Sequence, residues 1–567
     1  MKTHLRTAAI AVVAFVAIWY LPSATAVTSP SATTEMHSVY EADTASTSVI
    51  VAPGGGLVSA APKKDATKEA AKKDADASES WFDKFAPILI LLIVVGIVLF
   101  RLPKVDDLGH TDEFRKRRVS NWLPLGLVYA FLYMGRYNIK VSQHKFGEMS
   151  NQLGDPIMTN ADFGTIFAAG TATYAVSFLI NGPLTDRYGG KLAIMVGGIG
   201  SLVCNLVMGL CTMSLLDDAT GSGFVASNFV LLFSVLYAVN MYFQSFGAVA
   251  IVKVNAPWFH VRERGVFGAI FGILISLGIY FAYDWGYMIL NGWGIEWVFL
   301  TPTILLSVFC TITLFWVKNT PGEAGHVDFD LGDASSGDDG PRLGAMAVFK
   351  LMLKNPVIMT IAAIEFCSGF LRQAIMQWYR TFAKQTDEVL QEKSSFVFEN
   401  WGMLLCCAGI MGGVFAGVIS DRVFQSRRGP VAAILYGGML IGSVLLFFTY
   451  DTSVVGPLVV VMSMFVIGVH GMLSGTASMD FGGKKNVGIA VGIIDGFVYL
   501  GTAVMAITYG FVLPEETLVD GKLVGAATQP ENWSAWPLAM IPFSLMGLFF
   551  ARKIWSAKPK GKAAAAH

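Results

Sequence analysis

The sequence predicts an all-α membrane protein: two related six-helix halves with one extra transmembrane helix ahead of them. Three observations carry this. Apolar stretches recur along the 567-residue chain, each about twenty residues long, the length a helix needs to cross the hydrocarbon core. The chain is 54% hydrophobic and only 14% charged, with a mean hydropathy of +0.56, so lipid is its main solvent and its backbone must be satisfied within helices. The pattern Gly-x-x-Ser/Thr-Asp-Arg occurs twice, in GPLTDRYGGK (182–191) and GVISDRVFQSRRG (417–429), and two arginines inside apolar stretches, Arg136 and Arg372, repeat at nearly the same offset. Such internal repetition marks parallel halves of a transporter fold.

The N-terminal region comes first. Residues 1–26 read as a signal peptide: Lys2 and Arg6, an apolar core, then Ala24-Thr25-Ala26 as a small-residue cleavage pattern. An uncleaved signal anchor is the alternative. Residues 27–80 are Ala, Ser, Thr, Lys and Asp with few large apolar groups; they are expected to be a disordered extracytoplasmic tether, because they cannot bury enough surface to offset ordering entropy. Residues 83–102 contain the extra span. Arg101, Lys104 and Arg115 to Arg118 follow it, and a basic cluster stays on the cytoplasmic side.

Twelve further spans are expected, at 121–142, 162–183, 190–213, 227–251, 265–290, 296–317, 356–381, 399–420, 430–450, 455–477, 487–512 and 535–552. They divide into a first bundle (121–317), a cytoplasmic linker (318–355), a second bundle (356–555) and a basic tail (556–567). Loops on one side carry roughly eighteen Lys and Arg against about four on the other, which orients the chain with its C-terminus inside. The N-terminus is then outside after signal removal, in a bacterial-type inner membrane. The linker is acidic and Gly-rich, DFDLGDASSGDDG, as suits a connection between bundles.

A charge at bilayer depth is costly and by default marks a substrate path. Arginine stays protonated and its planar fork binds phosphate bidentately. Two such residues at matching places in two halves suggest one anion held between them. An ion pair of Arg372 with Glu365, seven residues earlier on the same helix, is the competing structural explanation. Lys140 shares the helical face of Arg136 and either adds charge to the site or snorkels outward. Tyr133 and Tyr137 flank Arg136; Gln377 lies beyond Arg372, followed by aromatics and Arg380, which are expected near the outer interface. Tyr242, Gln244 and Lys253 are secondary candidates. Asp284 and Asp495 sit at comparable places in the fifth and eleventh spans and, with Glu365, are possible coupling groups. Asp186, Arg187, Lys191, Asp421 and Arg422 belong to the repeated loop motif, expected to mark topology and latch helices in one conformer.

These motifs resemble the major facilitator superfamily over about residues 120–555, GPLTDRYGGK being close to its loop signature. Four local features are similar to the organophosphate:phosphate antiporter family, which includes bacterial glycerol-3-phosphate and hexose-phosphate transporters. They are GRYN in the first span, FLRQAIMQWYRTF in the seventh, NTPGEAG (319–325) and GGKKNVGIAVGIIDGFVYLG (482–501). The resemblance implies two six-helix bundles, substrate arginines at Arg136 and Arg372, and exchange of an organic phosphate for inorganic phosphate. The chain departs from the pattern in having Tyr137 where the family has lysine, and Pro257 where some members have histidine. That leaves the anion class intact and the particular ester open.

The expected partners are a small phosphate anion, inorganic phosphate and the bilayer, without nucleic acid and without a second subunit; a monomer suffices. No cofactor or metal is expected: the six cysteines and eight histidines have no metal-ligand spacing. No nucleotide-binding loop or catalytic triad is present, so an enzyme is not expected. An ion-coupled symporter of another organic anion and a non-transporting phosphate-ester sensor of the same fold are the alternatives.

Overall fold

The computed structural model describes residues 109–557, apart from 219, 261–263, 330–344, 425–426, 516 and 520–521, together with Gly96. The expected signal peptide, tether, extra span and basic tail therefore lie outside the described residues, apart from Gly96, Ser556 and Ala557. All described residues belong to one unit, Trp81–His567.

Twelve long helical segments follow in order. They are α1 (Asp112–Gly147), α2 (Asn160–Tyr188), α3 (Gly190–Asp217), α4 (Phe229–Trp258), α5 (Arg264–Tyr280, continued by a π-helical turn at Phe281–Trp285 and by Gly286–Gly292) and α6 (Ile295–Trp316). The second half has α7 (Pro356–Gln385), α8 (Trp401–Arg422), α9 (Arg428–Thr449), α10 (Val455–His470 with a π-helical turn at Gly471–Ala477), α11 (Ser478–Val512) and α12 (Ala535–Lys553). Among the described residues, ten helices are long and apolar enough to cross a membrane, and α8 contributes a shorter apolar stretch, Trp401–Ala416. α1 falls outside that group because it starts in a charged segment, DEFRKRR, and carries Arg136 and Lys140.

The helix starts follow local chemistry. Thr159 caps α2: its hydroxyl and Asp162 form a reciprocal capping box. Asn355 accepts from Val357 and Ile358 N–H groups, with Pro356 at the first position of α7, where a missing N–H costs nothing. α4 is interrupted at Ser245. There Asn181 of α2 inserts its amide, donating to the Tyr242 carbonyl (3.2 Å) and the Ser245 hydroxyl (2.6 Å), a recognised cause of a break in a helical ladder.

Helices α1–α6 pack on one another, as do α7–α12; the two sets meet chiefly along α2–α11 and α5–α8. The α2–α11 contact depends on glycine. A Cβ on Gly164 would lie 2.6 Å from Gly510 Cα, so the backbones approach as small-residue helix pairs do in membranes. One departure from an all-helical chain is a short antiparallel hairpin, Thr517–Val519 with Lys522–Val524, in the loop before α12.

The structure closes the interface between halves at one end. Call the end bearing the 184–191, 257–264 and 421–429 loops the basic end. At the opposite end Lys384 Nζ meets Glu148 Oε1 at 3.1 Å, and Asn160 donates to Gln385 Oε1 (3.3 Å) and the Pro514 carbonyl (2.9 Å). Asp284 accepts from the Gly402 and Met403 N–H groups at 2.6 and 2.7 Å.

Candidate functional site

Arg136 lies on α1 and is 1% exposed. All three of its donor nitrogens are used. Nε donates to Gln244 Oε1 (3.0 Å), Nη2 to the Tyr174 hydroxyl (2.9 Å) and Nη1 to the Tyr499 hydroxyl (2.8 Å). The guanidinium also lies 4.4 Å from the Tyr133 ring centroid and 4.8 Å from that of Tyr174, where the ring faces attract a cation. Every one of these partners is neutral, and no carboxylate pairs with Arg136 among the described residues. Tyr499 belongs to the second half, so one bond from the first arginine already crosses the interface.

A network of buried amides holds this arrangement. Gln244 Nε2 reaches Asn240 Oδ1 (3.3 Å), Ser201 donates to the same oxygen (2.7 Å), and Asn240 Nδ2 donates to the Gly135 carbonyl (2.8 Å). Tyr237 donates to the carbonyl of Arg136 itself (2.7 Å). The break in α4 at Ser245 lies beside Gln244, so the helix irregularity and the arginine's partner share one location.

Arg372 lies on α7 and is 6% exposed. It makes no hydrogen bond or ion pair with any described residue, and its Nε is buried without a partner. Tyr133 and Tyr499 are within electrostatic reach of both arginines. The alternative ion pair does not form: Glu365 bonds instead to His470 Nδ1 of α10, at 2.9 Å. Neither arginine faces lipid.

The remaining expectations separate. Tyr137 accepts from Gln373 Nε2 at 3.0 Å, and Gln377 donates to Gln373 Oε1 at 2.8 Å; Gln377 thus reaches the centre through Gln373, and its own Oε1 is unpartnered. Lys140 does not snorkel. It is buried, bonds to Gln143 (2.6 Å) and to Thr381 across the interface, and lies over the rings of Phe163 and Trp378. Arg380 packs against the rings of Tyr287 and Phe398 and donates to the Phe398 carbonyl in the loop before α8. Asp284 is occupied by the α8 N-terminus, where partial positive charge collects. Asp495 bonds to Ser474. Of the loop motif, Asp186 pairs with Lys253 of α4 at 2.6 Å, Arg187 lies over Tyr188, and the Lys191 N–H binds Asn319 at 3.0 Å. The side chains of Asp421 and Arg422 lie outside the described residues.

Sequence reasoning named Gln244 only as secondary and missed Tyr174, Tyr499, Gln373 and Thr381. The available signal was polarity within apolar spans; the chain contains many such tyrosines and amides, and only packing selects among them.

The pattern of the Major Facilitator Superfamily matches residues 125–506. The chain belongs to that superfamily. It is similar to a glycerol-3-phosphate transporter of Bacillus subtilis (strain 168), 22% identical over 476 residues, covering 80% of this chain and 96% of the relative. It is also similar to the membrane sensor protein UhpC of Salmonella typhimurium, 24% identical over 428 residues, covering 71% and 87%. The fold is shared with the crystal structure of a bacterial homolog of the human lysosomal transporter Spinster in an inward-facing, unoccupied conformation. There the TM-score is 0.53 at 13% identity, covering 79% of this chain and 98% of that one. This is a multi-pass membrane protein with a transporter fold.

Proposed function

We propose that this chain is a secondary transporter that exchanges an organic phosphate ester, of the glycerol-phosphate or sugar-phosphate class, for inorganic phosphate by alternating access. The observation that carries this reading is the state of the two arginines. Arg136 is fully buried with neutral partners only, and Arg372 is buried with no partner on its Nε. A buried charge without a counter-charge is expensive, and a phosphate dianion bound between the two would remove that cost. The similarity to a glycerol-3-phosphate transporter supports the same anion class.

The geometry supplies a mechanism. Arg136 is held by neutral oxygens, with the Tyr499 hydroxyl linking it to the second half. Phosphate oxygens entering from the basic end displace those weaker acceptors with charge-assisted bonds. Both halves then bind one anion, which favours closure on that side and release of the contacts at the opposite end. The Asp186–Lys253 pair and its counterpart motif in the second half lie at the basic end, where they would brace helices through that movement. Without an anion, closing both arginines away from water is unfavourable, so the loaded carrier reorients and exchange is obligatory.

Liposomes containing the full chain and loaded with phosphate test this. Labelled glycerol 3-phosphate and glucose 6-phosphate should enter only when phosphate is inside, while succinate and glucose should not. Uptake of the carboxylate or the uncharged sugar, or uptake independent of internal phosphate, refutes it. A phosphate-ester sensor is a second reading, favoured by the similarity to UhpC; it predicts binding to the purified protein with no flux.

A further inference from the structure

We infer that Glu365, His470 and Asp495 form a proton-binding site beside the anion site, which takes up a proton when phosphate occupies Arg372. The inference rests on the anion reading above and adds to it a coupled proton.

The three residues come from α7, α10 and α11. Glu365 is 0% exposed; its Oε2 meets His470 Nδ1 at 2.9 Å, while its Oε1 is buried with no partner. Asp495 bonds to the Ser474 hydroxyl within the π-helical turn of α10, a feature often found at functional positions in helices. Asp495 is within electrostatic reach of His470, Glu365 and Arg372, and Arg372 of Glu365. The other titratable groups facing the trio are Cys367 of α7, Tyr436 of α9, Tyr499 of α11 and Tyr174 of α2. All four are neutral at ordinary pH. On α12 the charged residues Arg552 and Lys553 lie only at its last turn.

The charges then decide the behaviour. Two carboxylates face one permanent cation, Arg372, and one histidine. With no anion on Arg372, that cation and the His470 imidazole are the groups that offset both carboxylates. A phosphate dianion on Arg372 reverses that local balance, and a proton on Glu365 Oε1 restores part of it. His470 Nδ1–H then donates to Oε2, which matches the observed contact. The His470 side chain is 14% exposed against 0% for Glu365, so the proton enters through the imidazole. Linkage makes the effect reciprocal: phosphate favours the proton, and the proton favours phosphate.

The test uses the full chain in liposomes and labelled phosphate/phosphate exchange across the range where histidine titrates, about pH 5–8. Comparing Glu365→Gln with wild type cancels the ionisation of phosphate itself. The wild-type half-saturating concentration should rise with pH relative to the variant, by up to about tenfold per pH unit for one linked proton. Glu365→Gln should retain exchange with that rise removed, and Asp495→Asn should move it to lower pH. A variant-to-wild-type ratio that stays flat with pH overturns the inference. Infrared difference spectra of the purified protein give a readout independent of flux. A protonated-carboxyl band that grows with phosphate and is lost in Glu365→Gln supports the site. Its absence overturns it. If wild type moves no phosphate, the transport reading fails, and the phosphate-dependent band in the purified protein, which needs no flux, still decides the proton site.

Discussion

Replacing Arg136 with lysine keeps the charge and removes the fork. In the structure one planar group reaches Gln244, Tyr174 and Tyr499 at 3.0, 2.9 and 2.8 Å. A lysine ammonium has a single nitrogen and cannot meet acceptors on α4, α2 and α11 together in that plane. Bidentate contact with a phosphate is lost for the same reason. Losing one hydrogen bond to a charged group costs about 1.5–3 kcal/mol, which corresponds to roughly 10- to 150-fold in affinity. The half-saturating phosphate concentration for exchange in liposomes should therefore rise at least tenfold. Insertion and yield should stay near wild type, because the charge and most of the side-chain volume remain. Tyr499→Phe serves as a partner variant: it removes one acceptor and leaves the fork, so its effect should be the smaller. Exchange by Arg136→Lys with a half-saturating concentration within about twofold of wild type, a shift of under half a kcal/mol, would refute the reasoning.

Other predictions concern closure and packing. Asp284→Asn keeps one acceptor of the two that hold the α8 N-terminus, so it should weaken closure at the end opposite the basic loops by about 1.5–3 kcal/mol. Spin labels at the exposed Leu153 and Val389 should then report a larger population of long distances, and an unchanged distribution counts against the latch. Partial burial raises the Glu148 carboxyl, but Lys384 and Lys145 more than offset it and hold it below the usual 4.5. Its contribution is therefore present above that value and lost as pH falls through the lower folded one. Being partly exposed to solvent, the Lys384–Glu148 pair is worth only about 0.2–1 kcal/mol, so the same labels should show modest opening in that acidic window and none between neutral and weakly acidic pH. Gly369→Ala places a methyl on the Val498 carbonyl oxygen; forcing α7 and α11 apart should cost about 1–3 kcal/mol, read as a lower Tm in detergent, and an unchanged Tm would contradict the packing.

Much of the fold is written locally. Apolar runs, Pro356 at a helix start and the Thr159–Asp162 capping box are short-range signals, because a helix satisfies its own backbone wherever lipid or packing leaves no other donor. The start of α1 is not legible in this way: the helix extends back to Asp112 through a charged segment that no hydropathy window includes. The hairpin at Thr517–Val519 lies in a connecting loop, where period and length carry little information.

The amino-acid sequence by itself determined that the chain is a two-part helical membrane protein and that Arg136 and Arg372 lie within spans. Charge in an apolar run is legible without coordinates, since its cost follows from solvation alone. Tertiary structure decided the partners. Glu365 sits two turns from Arg372 on one helix, yet bonds to His470 of α10. Arg136 reaches Tyr499 of the other half. Asp284, one of several acids in the spans, bonds to the N–H groups at a helix N-terminus on the other half. Each of these choices depends on which helical faces meet, and that is set by close approach at positions such as Gly164 and Gly510, hundreds of residues apart in the chain.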